Sequence, residues 1–179
     1  MRLFVGFLLP EEYKDFVLKL QSEITTLDVD CKNVEQENLH LSMSFLGETA
    51  EEDAEKIKKD LAKIAAKFKK IDVTICGAKA IPSKNFIRVI ALDVREETGT
   101  LEKLLDEIRR KIGGDVKPPH LTLCRVRSIR NKERLIEFVE NYETAFFASI
   151  KIVSIQLIES KLGRGGPEYS VVSESVLQD

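Results

Sequence analysis

Only two histidines occur among the 179 residues, and each opens the same short pattern, His40-Leu41-Ser42 and His120-Leu121-Thr122. Apolar and polar residues alternate through both runs, the period of a strand with one face in a core and the other open. Successive strand side chains point to opposite faces. His40 and Ser42 therefore share a face while Leu39, Leu41 and Met43 take the other, and His120 with Thr122 repeats the arrangement. Any fold for this chain must supply two half-buried strands of the same kind.

The elements around those strands repeat as well. Leu3, Val5 and Phe7 form a short strand that stops at Pro10, where a helix carrying Tyr13, Phe16, Val17, Leu20 and Ile24 can start. After the His40 strand, Thr49 and Glu52 have the spacing of a capping box, ahead of a helix with Ala54, Ile57, Leu61, Ile64 and Phe68 on one stripe. "IDVTICGAKAI" and "FIRVIALDV", on either side of the turn-rich Pro82 to Asn85, predict a hairpin. The order then begins again. A helix with Leu101, Leu104, Leu105, Ile108 and Ile112 closes at Gly113 and Gly114, and the His120 strand follows. Next come a helix with Leu135, Ile136, Phe138, Val139 and Tyr142 and a terminal strand pair, "ASIKIVSIQLIES" with "EYSVVSESVL". This order predicts a duplicated α+β unit, bilobal and pseudo-twofold, with antiparallel sheets facing a central cleft and helices outside. Its halves span approximately 1–82 and 83–179, with only a turn between them, so one domain over 1–179 with two intertwined lobes is expected.

Acids and bases nearly balance at a net charge of −2, which excludes coating of long nucleic acid by bulk electrostatics but leaves room for a local basic pocket. Arg125, Arg127, Arg130, Lys132 and Arg134 gather just after the second motif, as a solvated face or as a track for RNA phosphates. The three cysteines, Cys31, Cys76 and Cys124, are far apart with no CxxC, the usage of a reducing compartment. The opening "MRLFVGFLLPEE" turns acidic too soon for a signal peptide, and no apolar run reaches membrane-spanning length. A cytoplasmic protein, most simply a monomer, is expected.

Two imidazoles near neutral pH can divide the work of proton transfer, one as general base and one as general acid. Two neighbouring hydroxyls can hold anionic oxygens while charge moves in a transition state. Together they suit phosphodiester cleavage without a metal or other cofactor. A lone strand histidine is more often structural, and two histidines without a carboxylate or cysteine in matching register make a poor metal set. The duplication of the motif is what favours chemistry.

At this point the residues resemble the two-histidine phosphoesterase superfamily, and within it the RNA 2′,3′-cyclic phosphodiesterases, also called 2′-5′ RNA ligases. "RLFVGFLLP" resembles the opening strand of that family, "ENLHLSMSFLGE" its first motif, "PPHLTLCRV" its second, and "ESKLGRGGPEYSVV", with Ser160, Leu162, Gly166 and Tyr169, its closing hairpin. The resemblance implies that His40 and His120 are the catalytic pair, that Ser42 and Thr122 bind the phosphate, and that Arg125 contacts it too. It also implies hydrolysis of a terminal 2′,3′-cyclic phosphate to a 2′-phosphate with no metal and no nucleotide cofactor, with ATP-independent 2′-5′ ligation as the reverse reaction. The partners implied are RNA ends with a cyclic phosphate, such as tRNA fragments, or small cyclic nucleotides. The chain departs from the family pattern at Ser42, where threonine is commoner, and near Asn33, where an aromatic residue often stands. The rival readings are a non-catalytic RNA-end-binding module and a metal-dependent hydrolase.

Phe45 and Arg125 occupy matching places after their histidines. Strict alternation turns both away from the histidine face, and only a bulge or a strand end brings them back. Phe45 is accordingly expected in the core, and Cys124, which shares the parity of His120, in the cleft. Lys161 and Arg164 lie in the glycine-rich closing turn, either over bound RNA or in a plain hairpin loop.

Overall fold

Each of the four helices buries one apolar stripe and leaves its charged face to solvent. α1 (Asp15–Thr25) buries Val17, Leu20 and Ile24, and α2 (Glu51–Ala65) buries Ala54, Leu61 and Ile64. α3 (Thr100–Lys111) buries Leu101, Leu104 and Ile108, and α4 (Lys132–Asn141) buries Leu135, Phe138 and Val139. The structure, a computed structural model, describes residues 1–179. No helix in it is long and apolar enough to cross a membrane.

The helical stripes pack on one antiparallel sheet of ten strands. These are β1 (Arg2–Leu8), β2 (Cys31–Asn33), β3 (His40–Glu48), β4 (Ile71–Pro82), β5 (Ile87–Arg95), β6 (Asp115–Val116), β7 (His120–Val126), β8 (Phe146–Ile152), β9 (Ser154–Gly163) and β10 (Gly166–Val176). Their order is β10-β9-β1-β3-β7-β5-β4-β8, with β2 added to β7 and β6 added to β3. The α+β class and the antiparallel pairing agree with the sequence. The two expected sheets are instead one, joined where β3 meets β7 at a single residue pair, Leu41 with Leu121.

The pairing register repeats around that junction. β1 meets β3 through Leu8–His40, Phe7–Leu41, Gly6–Ser42, Val5–Ser44 and Phe4–Phe45. β5 meets β7 through Asp93–His120, Leu92–Leu121, Ala91–Thr122, Ile90–Cys124 and Val89–Arg125. Every pair in one set has its counterpart in the other, including the residue skipped after each hydroxyl. One strand of each half crosses to the other side of the junction: β4, directly after α2, pairs with β5, and β9, which follows α4 and β8, pairs with β1. Gly6 allows the close approach of β1 to β3, because a Cβ there would lie 2.6 Å from the Leu41 carbonyl oxygen.

Three local expectations need correction. Pro10 opens a short 3₁₀ turn over Glu11–Tyr13, and α1 starts only at Asp15. The capping box does not form: Ala50 sits at the cap of α2 without a side-chain bond, and the Thr49 hydroxyl donates to the Gly47 carbonyl at 3.1 Å. Thr49 is held in the strand layer, its N–H donating to the Met1 carbonyl at 2.7 Å. The run "ASIKIVSIQLIES" is not one strand, because it divides at Val153. β8 adds to β4 at one edge of the sheet, whereas β9 lies between β1 and β10. Which neighbour offers free backbone groups decides this break, and no glycine or proline marks it.

Candidate active site

Leu41 and Leu121 are fully buried, so the residues flanking them lie on the opposite, open face. Continued from the single pair Leu41–Leu121, the antiparallel register sets His40 toward Thr122 and Ser42 toward His120. The histidines take the diagonal of this square, a separation of about 7–8 Å between strand positions. Each ring is tied back to the turn before its strand. His40 Nδ1 is 2.7 Å from the Asn38 carbonyl oxygen, and the Pro118 backbone favours the charged form of His120. A carbonyl only accepts, so in His40 Nδ1 carries the proton of the neutral ring and Nε2 is left free to take one.

The two rings sit in different surroundings. His40 lies against Phe4 and Tyr169, with ring centroids at 5.1 and 5.2 Å, and Phe4 packs on Tyr169 at 5.0 Å. Burial in this aromatic cage pushes its pKa down to about 4; the Asn38 carbonyl opposes the shift, and the charges of Arg125 and His120 add to it. His120 is also held below the ordinary histidine value, first by burial and then by the Lys79 ammonium. Asp93, its cross-strand partner, pulls the other way and holds Lys79 at 2.9 Å. Burial raises the Tyr169 hydroxyl, against the pull of the Arg125 guanidinium beside it.

One extra residue in each histidine strand rebuilds the face beyond the hydroxyls. Met43 is skipped between the Ser42 and Ser44 pairs, and Leu123 between the Thr122 and Cys124 pairs. Such a bulge reverses the alternation. Phe45, expected in the core, is 51% exposed, and Arg125 returns to the histidine side. Cys124, expected in the cleft, is instead fully buried beside Cys31, whose contact raises its thiol pKa along with burial. A narrow cavity of about 50 Å³ is lined by His40, Thr122, Arg125, Tyr169 and Asn33 among others. It adjoins a wider one of about 530 Å³ that shares Arg125 and Tyr169 and adds Phe4, Phe45 and Lys161.

The remaining candidates are dispersed. In the basic run, Arg130 pairs with Asp28 at 3.6 Å and Arg134 donates to the Leu27 carbonyl at 2.9 Å, so both hold loops. Lys161 lines the wider cavity, 3.5 Å from Glu159, and Arg164 lies in the turn between β9 and β10. Asn33 Nδ2 donates to the Gln21 carbonyl at 3.3 Å and to Thr25 at 3.2 Å. The closing hairpin is docked by Asn38, whose amide donates to the Pro167 carbonyl at 2.6 Å. Phe4, Asn38, Lys79 and Asp93 were not legible as site residues from motif spacing. For Asp93 and Lys79 the usable signal is the duplication itself, which sets them around the His120 strand where the His40 strand has Leu8 and Gln156. No three His, Cys, Asp or Glu side chains converge as a metal set, so the groups on hand are two imidazoles, two hydroxyls and a guanidinium.

Residues 7–91 match the LigT-like phosphoesterase family. A Methanocaldococcus jannaschii protein named RNA 2′,3′-cyclic phosphodiesterase is 33% identical, over 97% of this chain and 99% of its own. An Aquifex aeolicus protein of the same name is 31% identical, over 99% of this chain and 97% of its own. The crystal structure of E. coli LigT in apo form, 24% identical, shares the fold with a TM-score of 0.79 over 99% of this chain and 98% of that one. On the strength of near full-length likeness in sequence, the chain belongs to the LigT-like phosphoesterases, the family of the RNA 2′,3′-cyclic phosphodiesterases.

Proposed function

We propose that this chain opens the 2′,3′-cyclic phosphate at an RNA end, breaking the bond to O3′ and leaving a 2′-phosphate. What supports the proposal is the Leu41–Leu121 pair, whose register turns His40, Ser42, His120 and Thr122 to one open face, with Arg125 lining the cavity beside His40 and Thr122. His40, its pKa near 4, is neutral at pH 7 and takes a proton from water as the water oxygen attacks phosphorus. The electrons of the breaking P–O3′ bond go to O3′, which takes a proton from His120. His120 is the better holder of that proton because it faces Asp93, and the anionic substrate raises its affinity further. Ser42, Thr122 and Arg125 grip the non-bridging oxygens, where negative charge gathers. Each proton transfer contributes roughly 100- to 10,000-fold. The names of the curated relatives support this substrate class.

The same in-line displacement with a 5′-hydroxyl in place of water gives a 2′-5′ linkage, and the strained ring makes ATP unnecessary. Water is far more concentrated, so hydrolysis is the principal outcome. The chain acts as a cytoplasmic monomer, one bilobal domain, on the ends of RNA fragments such as cleaved tRNA or on small cyclic nucleotides.

The test is incubation with a single-stranded octaribonucleotide ending in a 2′,3′-cyclic phosphate, in the presence of EDTA, with product analysis by ³¹P NMR. Release of the 2′-phosphate end by the wild-type protein, lost in His40→Ala and in His120→Ala, is expected. Binding without turnover, or a 3′-phosphate product, overturns the proposal.

A further inference from the structure

Beyond the catalytic cleft, the ends of β5 and β7 and the start of α4 enclose a second cavity of about 220 Å³. Its lining includes Phe86, Arg88, Arg127, Ile129 and Lys132, and no Asp or Glu. Phe86 is 57% exposed and Ile129 83% exposed. The Arg88 guanidinium lies over the Phe86 ring at 5.0 Å, and Lys132 Nζ donates to the Asn85 carbonyl, a neutral acceptor, at 2.7 Å. None of the three cations has a carboxylate partner within ion-pair distance, although the chain is slightly acidic overall. Uncompensated cations around an open aromatic ring suit a chain of phosphates and flat bases.

The cavity connects with the catalytic site along β7. Arg127 follows Arg125 by two residues, just past the end of β7, which sets their Cα atoms about 7 Å apart along the chain. Resting on the reading of the cleft as a site for RNA 2′,3′-cyclic ends, we infer that the nucleotides upstream of the cyclic phosphate leave the cleft past Arg127 and bind this patch as single-stranded RNA. Arg88, Arg127 and Lys132 hold phosphates, and a base stacks on Phe86. The wide cavity is less suited to the continuing strand, because Glu48 and Glu159 offset its cations, Arg2, Arg125 and Lys161, with Glu159 3.5 Å from Lys161. The patch makes an oligonucleotide a better substrate than a cyclic mononucleotide.

Two measurements test this. One is the anisotropy of a fluorescent octaribonucleotide ending in a 2′,3′-cyclic phosphate, titrated with Arg88→Gln/Arg127→Gln, with Phe86→Ala and with wild-type protein, each on the His120→Ala background. The other is the KM of the octamer and of a 2′,3′-cyclic mononucleotide with His120 intact. The charge variant is expected to lower the slope of log Kd against log salt by about 1.4, for two phosphate contacts on a single strand. Phe86→Ala is expected to weaken octamer binding at least about fivefold. Both raise the octamer KM and not the mononucleotide KM, and Arg88→Lys/Arg127→Lys restores the salt slope. Octamer binding and salt slope equal to wild type overturn the inference, as does an equal rise in both KM values. If the wild type hydrolyses neither substrate, the catalytic reading fails, and the anisotropy still decides the patch.

Discussion

His40 should make the stability of this protein depend on pH in a way that its removal abolishes. The ring is caged by Phe4 and Tyr169, and its pKa falls to about 4 from 6.5. A depressed folded-state pKa means that the unfolded chain binds the proton more tightly. Stability is therefore complete above pH 6.5 and is lost as the pH falls through 6.5 toward 4. At pH 4.5 the linkage integral gives a loss of about 2 kcal/mol relative to pH 7, from one histidine. Urea unfolding of the wild type and of His40→Ala at both pH values isolates this quantity. The cavity left by the substitution lowers stability equally at each pH and cancels in the double difference. The variant should lose about 2 kcal/mol less than the wild type between pH 7 and pH 4.5. A difference under about 0.5 kcal/mol would refute the claim that burial keeps this imidazole neutral, and with it the assignment of His40 as a ready base at neutral pH.

Other outcomes follow from the same geometry. Arg125→Ala should lower kcat/KM by roughly 100-fold or more, in the range seen when one donor to a developing oxyanion is removed, with only partial rescue by Arg125→Lys; steady-state kinetics on a cyclic mononucleotide decide it. Asp93→Asn removes the charge that raises the His120 pKa and frees Lys79 to depress it, so the alkaline limb of kcat/KM should move to lower pH, whereas Lys79→Gln should move it to higher pH. Movement of the acid limb instead would exchange the roles of the two histidines. Gly6→Ala forces a Cβ to 2.6 Å from the Leu41 carbonyl and should cost about 1–3 kcal/mol, read as a lower urea midpoint.

The helices and the two histidine strands are legible in the sequence because one-face burial imposes a period that local spacing reveals, as with Leu101, Leu104 and Ile108 on α3. Bulges impose none. Met43 and Leu123 are ordinary apolar residues, yet the extra residue in each strand sends Phe45 and Arg125 to the cleft and Ser44 and Cys124 to the core. Alternation alone assigns all four to the wrong face. Val153 likewise carries no signal for the break that sends β8 and β9 to distant neighbours. The cage around His40 is hidden for another reason: Phe4 and Tyr169 come from opposite ends of the chain and meet only when β9 pairs with β1 on one side and β10 on the other.

Duplication gives two matching strands, and the divergence of residues at equivalent positions gives them different chemistry. Leu8 stands opposite His40 where Asp93 stands opposite His120. Gln156, the counterpart of Lys79, is neutral and spends its side chain on the Leu8 N–H and on Glu174. One imidazole is thus left among rings and aliphatic groups that cannot answer a charge, and the other is set beside an ion pair that can. Phe45 and Arg125 divide in the same manner, an apolar plate on one side of the cleft and a fixed cation on the other. Identical surroundings would give both rings the same proton affinity, and transfer in opposite directions at one pH would then be poorly matched at one of them. On the proposed mechanism the shared register serves one phosphate with both histidines, and the three differences around them separate their affinities, as receipt of a proton by one and release by the other require.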